Sequence, residues 1–195
     1  MRKSKLILRA GIFTAVIFFA GCTRSNIFNL ESRGENIICF GDSITRGKGV
    51  EVGESYPAYL AKMTNYPVIN AGINGEISTE GLKRLPVDVL EKRPLLVIIE
   101  FGGNDYLSKI PLEETIKNIE KMVKLIQAGG AMAAIVDISN ILFMGEYRQE
   151  LERLSKKYQA IFIPRILEDI VTNEKLKSDA VHPNAKGYKI IAYRV

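Results

Sequence analysis

Ser43 ends the run Ile37-Ile38-Cys39-Phe40-Gly41-Asp42-Ser43, and His182, the sole histidine of the chain, follows Asp179 by three residues. A serine hydroxyl is a weak nucleophile at neutral pH and needs a neighbouring base. An imidazole whose Nδ1 is held by a carboxylate has Nε2 free to take that proton. On a helical or turn-like segment, a spacing of three lets Asp179 and His182 share one side. These residue types together point to acyl transfer through Ser43. Each has a plainer reading when taken alone: a lone histidine is commonly structural, and Gly-Asp-Ser commonly forms a turn with a helix cap.

Acyl transfer passes through a tetrahedral oxyanion that needs donors already in place. The N–H of Ser43, the N–H of Gly72 and the side-chain amide of Asn104 are candidates, each in a loop rich in glycine or polar residues. Glycine at 72 would let the backbone approach a substrate without a Cβ in the way. Gly102-Gly103-Asn104-Asp105 on its own reads as an ordinary turn. One histidine, no cysteine cluster and no His-Glu-x-x-His pattern argue against a zinc site. Serine chemistry needs no metal and no cofactor.

The elements that must position these residues follow from hydrophobic patterning. Short apolar runs at Ile37–Phe40, Pro67–Asn70, Leu95–Phe101, Ala131–Ile138 and Ala160–Ile163 lack a polar face and read as buried parallel strands. Helical patterns lie between them, at about Tyr56–Met63, Thr79–Leu90, Leu112–Ala128 and Glu146–Tyr158, with a last helix from Asn184 or Ala185. In the third, Ile116, Ile119, Met122, Val123 and Ile126 share one face, and Gly129-Gly130 stops the helix. Strand–helix alternation predicts one α/β domain, a parallel sheet with helices on both faces. In such sheets ligands gather at the carboxyl ends of the strands, where the four polar loops fall.

The 195-residue chain carries 27 basic and 22 acidic residues, a formal charge of +5. That excess is local, because Arg2, Lys3, Lys5 and Arg9 precede the first apolar run. Without them the charges nearly balance, and no basic run interleaved with aromatics remains, which argues against nucleic acid as a partner. Residues 1–21 read as a signal peptide, because the apolar stretch Ala10–Ala20 is too short to span a bilayer, which takes about 20 residues. Its end, Phe19-Ala20-Gly21-Cys22, resembles a bacterial lipoprotein box, which implies lipidation at Cys22 and an extracytoplasmic, membrane-anchored protein. Residues 22–35 then read as anchor and tether, and 36–195 as the catalytic domain. With Cys22 acylated, Cys39 has no disulfide partner and reads as a small buried hydrophobe.

In order along the chain, Gly41-Asp42-Ser43, Asn70-Ala71-Gly72, Gly102-Gly103-Asn104-Asp105 and Asp179-Ala180-Val181-His182 resemble the four blocks of the SGNH hydrolases, also called GDSL esterases and lipases. Val68-Ile69-Asn70-Ala71-Gly72-Ile73-Asn74-Gly75 and Glu100-Phe101-Gly102-Gly103-Asn104-Asp105 are most similar to the thioesterase/lysophospholipase/arylesterase branch. The resemblance implies a flavodoxin-like three-layer α/β/α sandwich with a five-stranded parallel sheet. It also implies Ser43 as nucleophile, His182 as base and then acid, Asp179 as the group orienting His182, and Ser43, Gly72 and Asn104 as the oxyanion hole. The chain stops at Val195, about 12 residues after Pro183, where family members often continue through a longer terminal helix: either the chain is truncated, or the last helix is short and would pin the His182 loop less firmly. Loops such as Tyr106–Pro111 and Asn140–Tyr147, with the apolar Ile141–Met144, would bind a small acyl ester substrate. Two other readings stay open: a carbohydrate acetylesterase, or a lipoprotein that binds a ligand without catalysis.

Overall fold

A computed structural model of the chain describes residues 26–139 and 145–195. Cys22 as a lipidated residue, the signal peptide and the Ile141–Met144 wall lie outside the described residues. Five strands, β1 (Asn36–Gly41), β2 (Val68–Gly72), β3 (Pro94–Glu100), β4 (Met132–Val136) and β5 (Ile161–Ile163), form one sheet in the order β2-β1-β3-β4-β5. Every pairing is parallel, as the crossovers require. This is the expected α/β architecture.

Seven α-helices complete the described residues: α1 (Ser43–Arg46), α2 (Tyr56–Ala61), α3 (Ser78–Asp88), α4 (Gly103–Leu107), α5 (Leu112–Ala128), α6 (Gly145–Tyr158) and α7 (Ala185–Arg194). Alternation along the strands sends side chains to two cores. Ile38, Phe40, Val97, Ile99 and Ile135 pack with Leu85 of α3, Met122 and Ile126 of α5, and Leu151 and Leu154 of α6. Ile37, Cys39, Ile98, Ala134 and Val136 face the other way, onto Tyr56 of α2 and Tyr188 and Ile191 of α7. Both faces are therefore buried, which explains why the strand sequences read as unbroken apolar runs. Cys39 is fully buried, and desolvation pushes its thiol up to about 12, which suits a packing role.

The structure departs from the sequence reading in particulars. Where the sequence pattern predicts loops after β1 and β3, the structure has the short helices α1 and α4, whose four or five residues are too few to show a helical period. Part of the segment read as tether is bound to the domain. Phe28 N–H donates to Gln159 O, the Asn29 amide donates to Gln127 O and Ala131 O, and Glu35 N–H donates to Arg93 O.

The His182 loop is held by hydrogen bonds to the segments on either side of it. Asn184 caps α7 and donates through its side chain to Lys175 O and Lys177 O, while Ser178 N–H donates to His182 O. Tyr188, fully buried in α7, donates its hydroxyl to Lys48 O at 3.0 Å and ties that loop to the segment after α1.

Candidate active site

β1 ends at Gly41, and Asp42 then turns the chain into α1. One Asp42 oxygen accepts the Ile44 N–H at 3.0 Å, an ordinary side-chain cap. Gly41 has no room for a side chain, because a Cβ there would lie 2.4 Å from Glu100 O. This turn sets Ser43 at the first position of α1, where its N–H has no intrahelical partner.

The structure brings Ser43, His182 and Asp179 together. Ser43 Oγ lies 2.9 Å from His182 Nε2, and His182 Nδ1 lies 2.8 and 2.9 Å from the two Asp179 oxygens. Asp179 Oδ1 also accepts the N–H groups of Val181 and His182, each at 2.8 Å. Those two amides, with the imidazole, hold the Asp179 carboxyl well below the usual carboxylate range. Asp179 thus faces Nδ1 as a carboxylate, which places the imidazole proton on Nδ1 and leaves Nε2 to accept from Ser43. The Asp179 side chain is 48% exposed, so the pair orients the ring more than it stabilises the fold.

The three expected oxyanion donors lie at the carboxyl ends of neighbouring strands, Ser43 after β1, Gly72 closing β2 and Asn104 after β3. Gly72 ends β2 in register with Gly41, and its N–H donates to Asn70 Oδ1 at 3.0 Å. Its missing Cβ makes room for α1 rather than for a substrate, because a Cβ at 72 would meet Arg46 N at 2.2 Å. Asn104, in the first turn of α4, donates to Asp42 Oδ2 at 2.8 Å and to Glu76 O at 3.1 Å. Both donors are therefore engaged by protein acceptors.

Sequence reasoning missed the groups that hold these loops. Glu100, fully buried at the end of β3, accepts on Oε2 from Asp42 N–H at 3.3 Å, Thr45 N–H at 3.2 Å and the Thr45 hydroxyl at 2.8 Å. Its Oε1 has no partner. Burial raises Glu100 well above the carboxylate range, and the neighbouring Asp42 adds to the rise. Burial likewise pushes Asp42 up to about 6. Asp105, also fully buried, accepts from Ser78 N–H at 2.9 Å and from the Thr115 hydroxyl at 3.1 Å, joining α3 and α5 to α4. Arg84 forms an ion pair with buried Glu76, donates to Ala71 O at 2.9 Å and lies over the Phe40 ring. The available signal for Glu100 was an acidic residue ending an otherwise apolar strand.

Around Ser43 the loops carry exposed apolar side chains: Ile73 after β2, Tyr106 and Leu107 in α4, and Val181 beside His182. Tyr106 packs edge-on against Tyr147, ring centroids 6.0 Å apart. Among the described residues no group of three His, Cys, Asp or Glu side chains could hold a metal ion.

Comparison with known proteins gives the family. Residues 39–190 match the GDSL-like lipase/acylhydrolase family. The chain is 28% identical to esterase TesA of Pseudomonas aeruginosa over 180 residues, covering 86% of this chain and 89% of that one. It is 30% identical to an arylesterase of Vibrio mimicus over 169 residues, covering 81% and 84%. The crystal structure of TesA superposes with a TM-score of 0.77 at 26% identity, covering 82% of this chain and 95% of that one. A parallel five-stranded sheet that presents these loops, together with the match over residues 39–190, establishes that the chain belongs to the GDSL-like, or SGNH, hydrolases and is a hydrolase of ester bonds.

Proposed function

We propose that the chain is an extracytoplasmic, lipid-anchored serine esterase working through Ser43, His182 and Asp179. The observation that carries the reading is the 2.9 Å contact from Ser43 Oγ to His182 Nε2, with Nδ1 of the same ring engaged by Asp179. Ser43 Oγ attacks the ester carbonyl carbon while its proton passes to Nε2. The carbonyl oxygen becomes an oxyanion facing Ser43 N–H, and Gly72 N–H and the Asn104 amide turn to it from Asn70 Oδ1 and from Asp42 Oδ2 or Glu76 O. His182 then returns the proton to the departing alkoxide or thiolate, which leaves an acyl group on Ser43. Water, deprotonated by the same nitrogen, releases the acid and restores the serine.

The apolar rim of Ile73, Tyr106, Leu107 and Val181 favours acyl and aryl esters over acetylated sugars. The arylesterase and esterase names of the relatives point the same way. Anchoring rests on the lipoprotein-like Phe19-Ala20-Gly21-Cys22. A p-nitrophenyl series from acetate to palmitate tests the reading, run on the wild-type chain and on Ser43→Ala. The expected result is turnover that varies with chain length and is lost in the variant. Hydrolysis of acetylated glycans alone, or unchanged turnover by Ser43→Ala, contradicts it.

A further inference from the structure

The end of the sheet where the N-terminal segment joins the domain is opposite the end that carries Ser43. Phe28 N–H donates to Gln159 O just before β5, Asn29 donates to Ala131 O just before β4, and Glu35 N–H donates to Arg93 O just before β3. All are at the amino ends of parallel strands. Ser43 and Asn104 follow the carboxyl ends of β1 and β3, and Gly72 closes β2.

We propose that a lipid at Cys22 holds the domain with its amino-terminal pole on the bilayer and Ser43 opening away from it. The esters reaching the serine are then soluble or borne on a facing surface, and the lipids of the enzyme's own membrane are excluded. This rests on the anchored-esterase reading above and narrows its substrate class.

Reach decides the orientation. From Cys22 to Phe28 the chain has about six residues, which span roughly 20 Å at full extension. A domain of this size is about 40 Å across. The link is too short to carry the opposite pole round to the membrane.

The surface beside the entry point suits an anionic bilayer. Phe28 and Leu30 are about half exposed, and Lys124, Lys156, Lys157 and Tyr158 line a groove with Phe28. Glu120 pairs with Lys124 and Lys157, and Glu152 pairs with Lys156, so the lysines keep a single excess charge among themselves. Apolar side chains set among lysines match the headgroup boundary, where aromatic and aliphatic groups insert and ammonium groups meet phosphates.

The test uses the full chain, processed in a bacterial host and reconstituted into phosphatidylglycerol/phosphatidylcholine vesicles. Flotation of wild type against Cys22→Ala reads the anchor. Turnover is followed on soluble p-nitrophenyl butyrate and on p-nitrophenyl palmitate carried in the same vesicles, each compared with detergent solution. A fluorescent phosphonate on Ser43 reports energy transfer to acceptor dyes on the lipid headgroups.

The expected result has wild type floating and hydrolysing butyrate as it does in detergent. Palmitate hydrolysis should fall at least about tenfold in the vesicles, as expected for a link that cannot span its two sites. Inserting about 30 Gly/Ser residues between Ser25 and Asn26 adds roughly 30 Å of reach, and should restore palmitate hydrolysis and raise energy transfer. Equal palmitate hydrolysis and equal transfer with either link would overturn the proposed orientation while leaving the esterase intact. Failure of wild type to float would remove the anchor, and absence of turnover in detergent would remove the esterase reading.

Discussion

The Asn104 amide donates to the carboxylate of Asp42, 2.8 Å away, on the residue that immediately precedes Ser43. The same carboxylate caps α1 through Ile44. One buried side chain therefore sets both the nucleophile's helix and the amide expected to face the oxyanion.

Removing the amide should act on the transition state. Asn104→Ala is expected to lower kcat by about 10² to 10³ with little change in KM, the usual cost of losing an oxyanion donor. Steady-state kinetics on p-nitrophenyl butyrate checks it. A change confined to KM would assign Asn104 to substrate binding.

Asp42 should also leave a mark on stability. Its pKa is raised from 3.8 to about 6, so the folded state resists its ionisation while the unfolded chain ionises freely. Its contribution is complete below about pH 4 and is lost as pH rises through about 6. Asp179 has the opposite sign: held below its ordinary range, it stabilises above about pH 4 and loses that contribution as pH falls. Urea denaturation of Asp42→Asn beside wild type, from pH 4 to 7, should show a difference that changes across this window. A constant offset would mean that Asp42 ionises alike in both states.

Glu100 separates hydrogen bonding from charge. Glu100→Gln keeps a carbonyl oxygen for Thr45 and should fold and turn over close to wild type. Glu100→Leu leaves the buried N–H groups of Asp42 and Thr45 unpaired, while the Thr45 hydroxyl keeps Tyr56, and should cost about 2 to 4 kcal/mol, with reduced kcat. Chemical denaturation and kcat on both variants decide it. Equal loss in the two would assign the effect to charge.

Gly72→Ala places a methyl 2.2 Å from Arg46 N and 2.7 Å from Thr45 C, both backbone atoms. Displacement of α1 is expected to cost about 1 to 3 kcal/mol and to separate Ser43 from His182. Differential scanning calorimetry and turnover should fall together. A stable, fully active variant would show that α1 can shift freely.

The sheet, its parallel sense and the long helix Leu112–Ala128 were legible in the sequence because burial on both faces leaves continuous apolar runs and a clear 3.6-residue period. The meeting of Ser43, Gly72 and Asn104 at one end of the sheet was legible because glycine and polar residues close the apolar runs of β1, β2 and β3, and the Asp179–His182 pairing was legible from their spacing of three. Glu100, Asp105 and Arg84 were not, since their partners Thr45, Ser78 and Ala71 lie far away in sequence and meet them only through the fold. The docked Phe28–Glu35 segment escaped for a related reason. Its polar composition reads as linker, while its bonds go to backbone carbonyls that carry no side-chain signature.

The most direct test is covalent trapping of the nucleophile. The purified chain is treated with a phosphonate ester, assayed on p-nitrophenyl butyrate and digested for mass spectrometry. A single adduct on the peptide carrying Ser43, formed in step with loss of activity and absent from His182→Ala, is the predicted result. An adduct on another residue, or full activity with Ser43 modified, would contradict the account.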